Sequence, residues 1–161
     1  MRYIIYFITG FILLLLLTWS TNIDHLIAGA AVVLVGTVLF GGYFTDRPLK
    51  FLQLHRIVVF AIYVPIFVWY MVKANIDVAY RALHPERPIK PGIVKIRTTL
   101  KTDIARVFLA NSITLTPGTM TCDIDGDILY IHWIWVQSED LEEASRIIAS
   151  RFEVFLRRIF E

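Results

Sequence analysis

The chain has 161 residues, 57% of them hydrophobic, and a mean hydropathy of +0.61. It is too apolar for one soluble domain, yet long enough for a membrane anchor plus one small soluble module. A net charge of +2 implies no extended basic surface for nucleic acid, and a single cysteine, Cys122, excludes an internal disulfide and any multi-cysteine metal site.

Residues 3–19 form the first apolar run, centred on Phe11-Ile12-Leu13-Leu14-Leu15-Leu16-Leu17, with Tyr3, Tyr6 and Trp19 towards its ends. At about 1.5 Å per residue it reaches roughly 26 Å, close to the hydrocarbon thickness of about 30 Å. Aromatic ends suit the headgroup level. A signal peptide would also follow Arg2 with leucines, but Trp19-Ser20-Thr21-Asn22 offers no small-x-small cleavage site and a second apolar run follows at once.

That second run, residues 23–44, has no charged side chain between His25 and Asp46. Gly29, Ala30, Ala31, Gly36 and the Gly41-Gly42 pair give it small patches where another helix can approach closely. With the short Ser20-Thr21-Asn22 link, the two runs are expected to form a membrane helical hairpin. A third run, residues 57–72, is apolar all round and interrupted by Pro65, which removes a backbone donor and bends a helix. Beyond it Lys73, Asp77 and Arg81 recur at four-residue spacing, so the helix is expected to continue to residue 83 with one wet face, Lys73 and Asp77 forming an interfacial ion pair.

Charge bias orients these segments. Arg2 precedes the first run, the first link has no Lys or Arg, and Arg47, Lys50 and Arg56 follow the second run, which places the N-terminus and second loop in the cytoplasm. If the third run also crossed, Arg81, Arg87, Lys90, Lys95, Arg97 and Lys101 would lie outside. Two crossings, with residues 57–83 embedded at the cytoplasmic face, satisfy every basic segment. Neither of the first two runs carries a mid-membrane ionisable residue of the kind ion carriers keep there; the chain is not expected to conduct ions by itself.

Residues 84–92, with Pro85, Pro88 and Pro91, form a stiff linker. In residues 93–161 a small α+β domain of βαββα order is expected. Val94, Ile96, Thr98 and Leu100 alternate with Lys95, Arg97, Thr99 and Lys101 as a strand. A helix from Asp103 follows, with Ile104, Val107, Phe108 and Asn111 along its stripe. Thr116-Pro117-Gly118-Thr119 makes a turn, Pro presetting φ and Gly supplying φ > 0. Two strands then flank Asp125-Gly126 as a hairpin, with Met120, Cys122 and Ile124 facing inward. Ser138 caps a last helix reaching Phe160, with an apolar stripe Leu141, Ala144, Ile148, Phe152, Phe155 and Ile159, and surface pairs Glu142→Arg146 and Glu153→Arg157. The helices cover one sheet face; Lys95, Arg97, Thr119, Thr121, Tyr130, His132 and Ile134 are expected on the other.

No catalytic constellation emerges. Asp123-x-Asp125-Gly126-Asp127 lacks the spacing to a closing glutamate that a calcium loop needs, and a hairpin turn accounts for it. Ser112 and Ser138 lack a Gly-x-Ser-x-Gly context. Cys122 reads as a core residue, and His132 as an outward strand histidine. No enzyme activity, cofactor or metal is expected.

The segment Leu109-Ala110-Asn111-Ser112-Ile113-Thr114-Leu115-Thr116-Pro117-Gly118-Thr119, followed by Leu129-Tyr130-Ile131-His132-Trp133-Ile134, closely resembles the E subunit of Mrp-type multisubunit sodium/proton antiporters. Length, hairpin, third apolar segment and C-terminal domain match along the whole chain; Met120 and Cys122 stand where aliphatic residues are common. The resemblance implies an accessory subunit in the cell membrane with its C-terminal domain in the cytoplasm. Its implied partners are the lipid bilayer and the other subunits, including large ones that resemble the proton-pumping subunits of respiratory complex I. E-like subunits of membrane-bound hydrogenases and related energy-converting complexes are the alternative, and a standalone membrane-tethered binding module is a third. The signature residues Asn111, Ser112, Thr114, Thr116, Pro117, Gly118, Thr119, His132 and Trp133 read as architecture, Asn111 bonding backbone beyond the helix end.

Overall fold

A computed structural model describes residues 2–19, 22–42 and 53–161. The chain divides into two compact units, Met1–Leu52 and Gln53–Glu161. In the first, α1 (Arg2–Thr18) packs beside α2 (Ile23–Phe40). Small residues set the spacing: a Cβ on Gly29 would lie 2.7 Å from Leu14 Cδ2, and one on Gly10 would lie 3.0 Å from Val33 Cγ1. Gly36, by contrast, faces open space. Helix α2 ends at Phe40, four residues short of the expected residue 44, because Gly41-Gly42 turns the chain. The link residues Ser20 and Thr21, and the basic loop with Arg47 and Lys50, lie outside the described residues.

The second unit begins with α3 (Leu54–Leu83), which runs without interruption through Pro65. Both α2 and α3 are long and apolar enough to cross a membrane, while α1 is a shorter apolar helix. Asp77 pairs with Arg81, at 2.8 Å, where a pair with Lys73 was expected. Arg81 has the better partner because its guanidinium also donates to the Pro88 carbonyl and stacks over Trp135, which fixes it in place.

After the linker come β1 (Gly92–Arg97), α4 (Asp103–Thr114), β2 (Thr119–Asp125), β3 (Ile128–Trp133), α5 (Leu141–Ile148) and α6 (Ser150–Phe160). The sheet has the order β1-β3-β2 with antiparallel neighbours, so α4 carries the chain across β3. Val94, Ile96, Leu129, Ile131 and Trp133 on one sheet face meet Ala105, Leu109, Ile113, Ala144, Ile148, Phe152 and Leu156 from the helices. This is the core, and its inward alternation extends past β1 through Thr98 and Leu100.

Several local expectations need correction. Ala105, Leu109, Ser112 and Ile113 are the buried side of α4, while Ile104, Val107 and Asn111 face outward and Phe108, 36% exposed, packs its ring 4.5 Å from that of Phe160 in α6. Leu109 and Ile113 fill the core, and Ser112 is admissible on the buried side because its hydroxyl is bonded to Tyr63 of α3 and to the Phe108 carbonyl. In β2, Thr119 and Thr121 point to the helices and donate to α4 carbonyls, so Met120 (51% exposed) and Cys122 face out. An irregularity between Thr121 and Asp123 makes Cys122 the extra residue of a bulge. The hairpin closes with Asp125 opposite Ile128, leaving Gly126-Asp127 as its two central residues, with φ +59° at Gly126. Asp140, not Ser138, caps α5 by accepting from Glu143 N at 2.9 Å. Finally, the last helix is divided at Ala149 into α5 and α6. Arg146 pairs with Glu143, and Glu153 is buried instead of reaching Arg157.

Candidate functional site

The motif at the end of α4 reaches both α3 and β2. Ser112 Oγ accepts from Tyr63 Oη of α3 at 2.5 Å and donates to the Phe108 carbonyl at 2.7 Å. Thr114 Oγ1 accepts from Thr121 N of β2. Thr116 Oγ1 donates to the Ser112 carbonyl, one of those a helix C-terminus leaves over, and Thr119 Oγ1 joins Thr116 N at the Ile113 carbonyl. Asn111 contributes its backbone carbonyl to Leu115 N at 2.8 Å, while its residue is exposed. The capping expected of Asn111 is thus done by the threonines, whose short side chains reach back one turn.

Pro117 and Gly118 turn the chain towards β2. Gly118 has φ +91°, and Thr119 N returns to the Thr116 carbonyl at 3.3 Å. A Cβ there would meet Ile134 Cγ2 at 3.1 Å and Val78 Cγ2 of α3 at 3.3 Å. Gly118→Val therefore combines a left-handed backbone with crowding on two sides, a loss of about 2 kcal/mol. Chemical denaturation of the full chain in detergent should register it; a midpoint equal to the parent's would show that the turn tolerates a side chain.

The seam between α3 and the domain runs nearly the length of that helix. Arg56, buried, donates to Gln53 Oε1 and to the Ile159 carbonyl near the end of α6. Tyr63 stacks with Phe67 and lies 5.8 Å from Phe155. Phe67 and Tyr70 both meet Phe152 at 6.1 Å. Each such aromatic pair is worth about 0.5–1.5 kcal/mol beyond area burial. Val78 and Arg81 complete the row at Gly118 and Trp135. Residues 56, 63, 67, 70, 78 and 81 share one side of α3; the opposite sides expose Ile57, Val58, Phe60, Ile62, Val64 and Trp69.

Sequence reasoning missed this seam. Arg56 reads as a loop charge and Tyr63 as one more apolar-run residue; the three-and-four spacing from 56 to 81 was the available signal. It also missed Glu153, which is 8% exposed and accepts from Thr98 Oγ1 (2.6 Å), Thr99 N (3.1 Å) and Thr99 Oγ1 (2.5 Å). Arg157 donates in turn to Thr99 Oγ1. His132 and Trp133 sit on opposite faces of β3: Trp133 is in the core, and His132 lies on the open face opposite Ile93 and Met120. On that face Lys95 stands over the Tyr130 ring.

Apolar helices carrying a small sheet-containing domain, with one of those helices fastened into the domain, define a membrane protein. The chain belongs to the family described as Na+/H+ ion antiporter subunit (MNHE), which matches residues 7–159. It is 34% identical over 160 residues to the E1 subunit of the Na(+)/H(+) antiporter of Staphylococcus haemolyticus, covering 98% of this chain and 96% of that one. It is 38% identical over 91 residues to the E subunit of the Na(+)/H(+) antiporter of Alkalihalophilus pseudofirmus, and spans 56% of that relative's length. Among solved structures, it is similar to a chain of the membrane-bound sulfane sulfur reductase, an archaeal respiratory membrane complex. That likeness has 48% identity, 99% coverage of both chains and a TM-score of 0.79.

Proposed function

We propose that this chain is the E-type accessory subunit of a multisubunit monovalent cation (Na+)/proton antiporter, supporting assembly and stability without conducting ions itself. The family match over residues 7–159 carries the reading. Its partners are the lipid bilayer and the other subunits, large complex-I-like ones included. Ser112, Thr114, Thr116, Pro117, Gly118 and Thr119 act as architecture, joining α3, α4 and β2. Against an ion path, no ionisable residue falls between Leu26 and Phe40 of α2.

A second reading is favoured by the 48% identity with a chain of the sulfane sulfur reductase complex: the host is then a redox-driven membrane complex carrying an antiporter-like portion. Purification of the tagged chain in mild detergent decides between them. Large antiporter subunits alone support the first reading, redox subunits in stoichiometric amount support the second, and the chain by itself overturns both.

The proposed topology has α1 and α2 crossing as a hairpin, α3 embedded at the cytoplasmic face, and the domain in the cytoplasm. What supports it is the one-sided seam of α3, with apolar side chains on the remaining sides. The exposed Cys122 is a native reporter. A membrane-impermeant thiol reagent is expected to spare it in intact cells and to modify it in inverted vesicles. Modification in intact cells would reverse the sidedness.

A further inference from the structure

We propose that Arg151 anchors a binding site for the phosphate of an anionic phospholipid at the seam between α3 and α6. The inference rests on the membrane placement of α3 proposed above.

Arg151 is a half-buried cation with no anion beside it. Its guanidinium lies 5.1 Å from the Tyr70 ring centre and 5.3 Å from that of Phe152, and its Nε is buried with no hydrogen-bond partner. Among the described residues no carboxylate lies within ion-pair distance of it. The other arginines withdrawn from solvent are provided for: Arg56 donates to the Ile159 carbonyl, Arg81 to Asp77 and Pro88, and Arg106 to the Leu100 carbonyl beside Asp103. Burial pushes the Arg151 guanidinium down from its ordinary value, and an arginine in a protein keeps its charge. A half-buried guanidinium with no carboxylate beside it has donors for which the chain supplies no anion. A phosphate diester presents oxyanions that match the guanidinium fork.

The surroundings select a lipid phosphate. Tyr70 is the α3 residue that receives Arg151, and beside it on α3 stand Trp69 (67% exposed) and the exposed Lys73. Aromatic and basic side chains together are the signature of headgroup depth. From Ile57 to Val68 the same helix carries no charge, as acyl chains require.

The test uses the full chain. Native mass spectrometry of the chain extracted from nanodiscs containing phosphatidylcholine and phosphatidylglycerol is expected to retain phosphatidylglycerol preferentially. Arg151→Gln should lower that retention about tenfold, with Arg151→Lys between the two, since an ammonium keeps the charge but loses the fork. Inorganic phosphate added in competition separates the sources: displacement of the lipid at millimolar levels would assign the site to a soluble anion. Quenching by brominated phosphatidylcholine of the emission lost in Trp69→Phe reports on α3 independently. If Trp69 is quenched and wild type shows no headgroup preference, or Arg151→Gln keeps it, the lipid site is wrong while the placement of α3 stands. If Trp69 is not quenched, the placement itself fails.

Discussion

Phe152→Ala should cost about 3–5 kcal/mol, the range for removing a fully buried aromatic ring from a core that cannot collapse around the gap. Phe152 is 2% exposed and has two tasks at once. It fills the layer between the sheet and α6, and its other side receives Phe67 and Tyr70 of α3. Its loss therefore weakens the domain and its grip on the apolar helix together. Urea titration of the full chain in detergent, followed by tryptophan emission, measures the first effect. Val154→Ala on the exposed side of the same helix serves as the control and should stay within about 0.5 kcal/mol. A Phe152→Ala loss below about 1 kcal/mol would mean that α3 and the domain are not packed through this ring.

Glu153→Ala is expected to cost about 3 kcal/mol by a different route. Its carboxylate accepts from two hydroxyls and one backbone N–H as the chain leaves β1, and hydrogen bonds to a charged group are the strong ones. Thr98 is buried, so removing the acceptor leaves its hydroxyl without water to replace it. Glu153→Gln should lose less, because the amide keeps one acceptor oxygen. Equal melts for Glu153→Ala and the parent would show that the threonines find other partners. An increase in proteolysis near Thr99, with the rest of the domain intact, is the expected local signature.

Much of the fold was legible in the sequence because it depends on local patterns. The apolar runs, the strand alternation from Val94, and the Thr116-Pro117-Gly118 turn are set by side chains within a few residues of one another. The misreadings at α4 and β2 share one cause. Ile104, Val107 and Phe108 outweigh Ala105 and Ser112 on any scale of apolarity, and Met120 outweighs Thr121. Tertiary contacts decided otherwise: Ala105 and Ser112 lie on the buried side of α4, Ser112 bonded to Tyr63 of α3, and the Thr119 and Thr121 hydroxyls bond α4 carbonyls.

Family and membrane character were determined by the sequence alone, since both are carried by contiguous segments: the Asn111-to-Thr119 motif and the uncharged runs. Only the tertiary structure decided that the third apolar helix belongs with the sheet-containing domain. That assignment depends on pairs such as Arg56 with Ile159, Tyr63 with Ser112, and Tyr70 with Arg151, which are far apart along the chain. A tyrosine in an apolar run has the same hydropathy whether its hydroxyl meets lipid, water or a buried serine. The partner that settles the matter is supplied by chain folded some fifty residues later.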